Sequence, residues 1–211
     1  MKDNLVFFHN PQSRGRIAHW MLEETGATYE VRLLSLEKGE NRQPEFLRVN
    51  PMGKLPALVH GSVVITESAA ICTYLADLFP QASLAPAIGD PARGTYLRWM
   101  FFGAGCMEPA IADRMLSRPP PERRSAIGYG SYDETVDTLE KALSPGPFLL
   151  GEQFTAADLY VASALGWAMM VKAVAPRPAF QAYVERCNAR PAAKRMNDQN
   201  VQYLAQMKAQ G

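Results

Sequence analysis

Early in the chain, apolar residues come in short runs whose period changes from one run to the next. Leu5-Val6-Phe7-Phe8 predicts a short buried strand that Asn10-Pro11 ends in a turn. From Ser13 onward Ile17, Trp20, Met21 and Glu24 recur at helical spacing, and Gly26 supplies a stop. Tyr29 to Leu34 alternates as a strand does. A polar stretch from Leu36 to Arg48 turns helix-like toward Leu47 and reads as a solvated face. Leu55-Pro56-Ala57-Leu58-Val59, the turn His60-Gly61-Ser62 and Val63-Val64-Ile65 then read as a β-hairpin. Pro56 has no N–H for a ladder, so it belongs on an edge or at a strand beginning, where a cis bond after Leu55 is open to it. Thr66-Glu67-Ser68 leads into a helix through Ala69, Ala70, Ile71 and Leu75. The resulting order is strand, helix, strand, hairpin, helix.

Beyond this the pattern is helical. Pro80 to Asp90 has two prolines and no period, the mark of a linker. Asp90-Pro91 supplies an N-cap and a first-turn proline for a long helix from Ala92 to Leu116. Its middle, Trp99 to Met107, is apolar nearly all round, which predicts burial on more than one side. Gly103 and Gly105 would permit close approach of another backbone, and Pro109 predicts a kink or interruption. Pro119-Pro120-Pro121 breaks the helix, and a loop between bundle helices explains the prolines more economically than a polyproline docking motif. From Glu122 to Leu143 a second amphipathic helix is predicted, ended by Ser144-Pro145-Gly146-Pro147. Thr155 and Asp158 have capping-box spacing, with Asp in place of Glu or Gln, and predict the start of a helix from Ala156 to Val171. A final helical part follows Pro176.

Composition narrows the class. The 211 residues carry a net charge of +1 with no long basic run, which gives no reason to expect nucleic acid or an anionic membrane as partner. The start, Met1 to His9, has too short an apolar core for a signal peptide, and nothing later approaches a membrane-spanning length. A cytoplasmic protein is expected. Cys72, Cys106 and Cys187 lie far apart without a Cys-x-x-Cys, so the reading is reduced structural thiols with neither disulfide framework nor zinc site. His9, His19 and His60 are isolated in sequence and read as surface or packing residues.

Two stretches carry candidate chemistry. An edge at Pro56 leaves the Leu55 backbone free to pair with an extended ligand. Free amides at the helix start, with the Ser68 hydroxyl, would hold a carboxylate, and Glu67 would accept a hydrogen bond from an ammonium. Gly53-Lys54 is not part of a phosphate loop, since the full Gly-x-x-x-x-Gly-Lys-Ser/Thr pattern is absent. In the loop from Asn10 to Arg16, Ser13 stands just before a helix, where its default role is an N-cap.

The ordered combination Asn50-Pro51-x-Gly53-Lys54-x-Pro56-Ala57-Leu58, followed by Glu67-Ser68-x-Ala70-Ile71, resembles the glutathione-binding half of the cytosolic glutathione transferases. Leu149-x-Gly151-x-x-Phe154-Thr155-x-Ala157-Asp158 resembles the folding signature of their helical domain, which assigns Thr155 and Asp158 to stability. The sequence from Asn10 to Ile17 resembles the first loop of bacterial, serine-type members, in which a serine faces the sulfur. The resemblance implies that the Leu55 backbone pairs with the cysteinyl part of glutathione before a cis Pro56, and that Glu67 and Ser68 hold the γ-glutamyl end. It places Lys54 and Asn41 near the glycyl carboxylate. A thiol of pKa ~8.5 is mostly protonated at neutral pH. A hydroxyl that donates to the sulfur favours the thiolate, and Arg14 and Arg16 add positive potential. Asn10 is the second candidate for the donor. The absence of cysteine from this loop argues against variants that form a mixed disulfide, and no tyrosine occupies it.

The expected fold is α/β plus all-α: a thioredoxin-like glutathione-binding domain over residues 1–79, a linker over 80–88, and an all-helical domain over 89–211. The second domain would contribute an electrophile pocket, for which Met100, Phe101, Phe102 and Met107 are the candidates, in the cleft between domains. The leading reading is a detoxifying glutathione transferase, a homodimer using glutathione as co-substrate, without a metal, against small hydrophobic electrophiles. The alternatives are a noncatalytic module of the same fold that binds apolar ligands or a protein, and a glutathione-dependent isomerase, dehalogenase or peroxidase.

Overall fold

The structure is a computed structural model that describes residues 4–120 and 122–209. Its first elements are β1 (Leu5–His9), α1 (Gly15–Thr25), β2 (Tyr29–Leu33), a 3-10 turn at Glu40–Arg42, α2 (Pro44–Leu47), β3 (Ala57–His60), β4 (Val63–Thr66) and α3 (Ser68–Leu78). The strands form one mixed sheet in the order β2-β1-β3-β4. β1 runs parallel to β2 and antiparallel to β3, and β3 is antiparallel to β4. The central β1 is apolar on both faces because both are covered. Val6 and Phe8 share one face with Ala57 and Val59 and pack on Phe46 of α2. Phe7 points the other way, toward His19 of α1. Gly26 ends α1 in the left-handed conformation, φ 66°, as a C-terminal glycine should.

Then follow α4 (Ala92–Phe102), a π-helical segment at Gly103–Met107, α5 (Glu108–Met115), α6 (Tyr132–Leu143), α7 (Ala156–Met170), α8 (Pro178–Asn188) and α9 (Pro191–Ala209). The chain divides into two compact units. One takes residues up to Ser83 together with the segment from Arg190 onward, and the other is Leu84–Ala189. The closing helix α9 packs along α1, so its residues group with the sheet and not with the helical stretch that precedes them, where the sequence reading put everything after Gly89. Ion pairs fasten it: Arg190 makes two bonds to the Glu24 carboxylate and Arg195 reaches Glu23.

In the helical unit α7 is apolar on every side and is buried through most of its length up to Leu165, with Trp167 and Met170 exposed near its end, and α4 and α8 pack against it. Its start is closed as the spacing predicts. The Asp158 carboxylate accepts from the Thr155 N–H (2.9 Å), the Thr155 hydroxyl (3.1 Å), the Leu149 N–H (2.8 Å) and the Tyr183 hydroxyl (3.0 Å). Burial pushes the Asp158 carboxyl upward, and these four bonds pull it back toward the carboxylate.

Two helices differ from expectation. The long helix begins near Ala92, with Asp90 Oδ1 accepting the Ala92 N–H, but departs from α-geometry at Gly103–Met107, ahead of Pro109, which sits in the first turn of α5. Only one face of it is buried, through Tyr96, Trp99, Met100, Gly103 and Met107, while Phe101 is 72% exposed. Apolar composition all round therefore did not mean burial all round. The helix predicted from Glu122 starts only at Tyr132, where Ser131 accepts the Glu134 N–H as its N-cap. Of the three consecutive prolines, Pro121 lies outside the described residues.

Candidate functional site

Register brings the candidate residues together. Phe8 stands opposite Ala57, and Ala57 opposite Thr66. The loop after β1, the Leu55-Pro56 entry to β3 and the exit of β4 into α3 therefore share one end of the sheet. Asn10, Ser13, Arg14, Leu55, Pro56, Glu67 and Ser68 are gathered there from three separated stretches.

The Leu55–Pro56 peptide is cis. The Leu55 side chain is buried beside Phe8 and Phe46. Its backbone N–H and C=O, just before the first residue of β3, have no hydrogen-bond partner among the described residues. The loop leading to it is braced from within. Buried Asn50 donates to the Lys54 carbonyl (2.8 Å) and accepts the Met52 N–H (3.1 Å). Gly53 turns with φ +60°, and a Cβ there would stand 2.9 Å from the Asn41 carbonyl oxygen. The Asn41 amide donates to the Gly53 carbonyl (2.8 Å), so its position is that of a brace for this turn. Lys54 is exposed.

Glu67 is exposed and stands at φ 63°, ψ 120°, a conformation that costs a non-glycine residue about 1–3 kcal/mol. This strain turns the chain from β4 straight into α3. Ser68 is buried at the first position of α3. The Ile71 N–H closes the first intrahelical bond to the Glu67 carbonyl (2.9 Å), which leaves the amides of Ser68, Ala69 and Ala70 at the open end. Such an end attracts a carboxylate.

Ser13 Oγ donates to the Asn10 carbonyl (2.7 Å) and accepts the Gly15 N–H (3.0 Å), the cap-like role that a serine takes by default. Asn10 is buried, with its amide donating to the Leu34 carbonyl (2.8 Å) and its oxygen accepting the Gln12 N–H (2.8 Å). Its side chain is thus turned into the fold. Arg14 is exposed. Arg16 points toward α9 and bonds Asn197, and its charge acts on the buried histidines beneath the loop.

Sequence reasoning missed the layer beneath this loop. His9 and His19, ten positions apart in sequence, meet with ring centroids 5.2 Å apart and are both fully buried, together with Asn200. Burial pushes His9 down to about 3, and it lowers His19 as well. The only sequence signal was parity: His9 follows Phe7 on the inward face of β1.

The pocket candidates of α4 do not form one surface. Met100 and Met107 are enclosed in the core of the helical unit, Phe101 faces outward, and half-buried Phe102 lies edge-on to Trp99. The enclosed pair cannot line an open pocket. Gly103 is needed for close approach, since a Cβ there would stand 2.7 Å from the Tyr160 ring. No disulfide joins the three cysteines, and no group of three side chains that could hold a metal ion occurs among the described residues. No described helix is long and apolar enough to cross a membrane.

A mixed four-stranded sheet with a cis-proline loop beside an open helix start, followed in sequence by a helical unit, defines a class of fold. Comparison with known proteins names the class. Residues 4–77 match the family description "Glutathione S-transferase, N-terminal domain", and residues 95–186 match "Glutathione S-transferase, C-terminal domain". Glutathione S-transferase 3 of Zea mays is 31% identical over 186 residues, covering 82% of this chain and 83% of the relative. Glutathione S-transferase theta-2B of Homo sapiens is 29% identical over 153 residues, and the match spans 68% of this chain and 63% of that protein. A sphingomonad glutathione S-transferase, solved in complex with glutathione, superposes with a TM-score of 0.75 at 30% identity, covering 92% of this chain and 98% of that one. The chain belongs to the glutathione S-transferase family.

Proposed function

We propose that the protein binds glutathione at the end of its sheet and activates the thiol for attack on small hydrophobic electrophiles, as a cytoplasmic homodimer. The observation that carries this reading is the convergence of an unpartnered Leu55 backbone, the strained Glu67 with the open start of α3, and the Ser13 loop at one sheet end. The extended cysteinyl backbone pairs with Leu55, the γ-glutamyl carboxylate meets the amides and hydroxyl at Ser68, and its ammonium meets Glu67. Lys54 and Arg14 lie outward as cations for the glycyl end. Turning the Ser13 hydroxyl from the Asn10 carbonyl to the sulfur gives the thiolate a donor. For the electrophile pocket Phe101 and Phe102 are the accessible candidates, and Met100 and Met107 are enclosed.

The test is the pKa of bound glutathione, read by thiolate absorbance. Ser13→Ala should raise it by about one unit with glutathione affinity kept. An unchanged pKa would move the role to backbone amides. The engagement of Ser13 with Asn10 favours one alternative, a noncatalytic glutathione-binding module. Calorimetric binding of glutathione without conjugation of any electrophile in a broad panel would establish that alternative.

A further inference from the structure

Beneath the Ser13 loop three buried polar side chains form one hydrogen-bonded chain, whose proton positions are assigned from the network. The Asn200 amide nitrogen has two N–H groups. One goes to the Met196 carbonyl (2.7 Å) and the other to His19 Nδ1 (2.9 Å). Its oxygen therefore faces His9 Nε2, at 2.7 Å, so Nε2 carries the His9 proton. His19, accepting at Nδ1, carries its own proton on Nε2 and gives it to Gln199 Oε1 (2.7 Å). Tyr203, on the same helix as Asn200, stacks on His19 and stands edge-on to His9.

A neutral His9 with its proton on Nε2 has a bare lone pair on Nδ1. That atom is buried and has no hydrogen-bond partner among the described residues. It abuts the turn that carries Ser13, because a Cβ at Gly15 would run into His9 Nδ1 and stand 2.9 Å from Ser13 Oγ. Glycine at position 15 is what lets the ring edge and the turn come this close.

We propose that His9 and Asn200 are positioning residues for thiol activation: Asn200 fixes the tilt and tautomer of the His9 ring, and the Nδ1 edge of that ring fixes where the Ser13–Gly15 turn stands. This rests on the reading of Ser13 as donor to the sulfur. The hydroxyl is then held in register by a helix nearly two hundred residues away in sequence, since Asn200 is separated from His9 by 191 positions.

The experiment is a double-mutant cycle read on the pKa of bound glutathione and on its calorimetric Kd. His9→Gln and Asn200→Ser are made alone and combined with Ser13→Ala. The amide of His9→Gln places an N–H where Nε2 stands, keeps the bond to Asn200 and removes Nδ1, so it carries the test if Asn200→Ser does not fold. Each single variant should raise the thiol pKa by about 0.5 to 1 unit and leave Kd within about twofold, because Leu55, Glu67 and Ser68 are untouched. Neither should add a shift in the Ser13→Ala background. An unshifted pKa in His9→Gln, or the same shift with and without Ser13, overturns the proposal and leaves Ser13 in its role. An unshifted pKa in Ser13→Ala itself removes the reading of the site, and the proposal with it.

Discussion

The starts of α7 and α3 face the same difficulty, a set of backbone amides with no partner within the helix, and resolve it in opposite ways. At α7 the start is closed by its own chain: the Thr155 N–H turns inward to the buried Asp158 carboxylate, the Ala156 N–H goes to the Leu84 carbonyl and the Asp158 N–H to the Thr155 carbonyl, and Thr155 and Asp158 are both wholly enclosed. At α3 the preceding Glu67 is exposed and strained, no side chain caps the helix, and the first amides stay open. A helix start saturated by its own chain adds stability and has nothing left to offer a ligand. One left open costs stability and keeps its donors for something else.

Asp158→Ala should break the closed start most severely. It strips the acceptor from two amides and two hydroxyls, and should remove about 3–5 kcal/mol of unfolding free energy in a urea titration. A loss below about 1 kcal/mol would show that the box is not what holds α7. A smaller effect of the same kind is expected at His9, whose pKa of about 3 in the folded protein lies below its ordinary 6.5. As pH falls the unfolded chain takes up the proton first, so stability is intact above pH 6.5 and is lost as pH falls toward 3. The loss should reach about 2 kcal/mol by pH ~5, with His19 adding in the same direction. His9→Gln should flatten that slope, and an equally steep slope would remove His9 as its source. At the open start, Glu67→Ala should weaken glutathione binding about tenfold while moving unfolding free energy by less than about 0.5 kcal/mol. Equal losses in binding and stability there would erase the contrast between the two helix starts.

Local pattern carried much of the first unit. Gly26, the hairpin and Pro56 each act through their immediate neighbours, and Thr155 with Asp158 through a fixed spacing, so their roles are visible along the chain. The cis bond after Leu55 and the helix start at Ser68 were legible for the same reason. Most of what escaped depends on partners far apart in sequence. The helix predicted from Glu122 starts late because Ser131 offers a cap that the amphipathic period overshadows. Phe101 faces outward because α7 covers only one side of α4. Asn10 and Asn41 looked free for a ligand, but Leu34 and Gly53 occupy them. His9 and His19 looked like isolated histidines because Asn200 joins them from the other end of the chain.

The return of α9 to the sheet also sets an order of synthesis. The helical unit has its whole sequence in hand once Ala189 has been made, whereas the sheet unit still lacks the helix that covers α1 and fixes His9. On the ribosome, the sheet unit is thus begun before the helical unit and completed only after it, and until then His9 and His19 lack the Asn200 side chain that joins them.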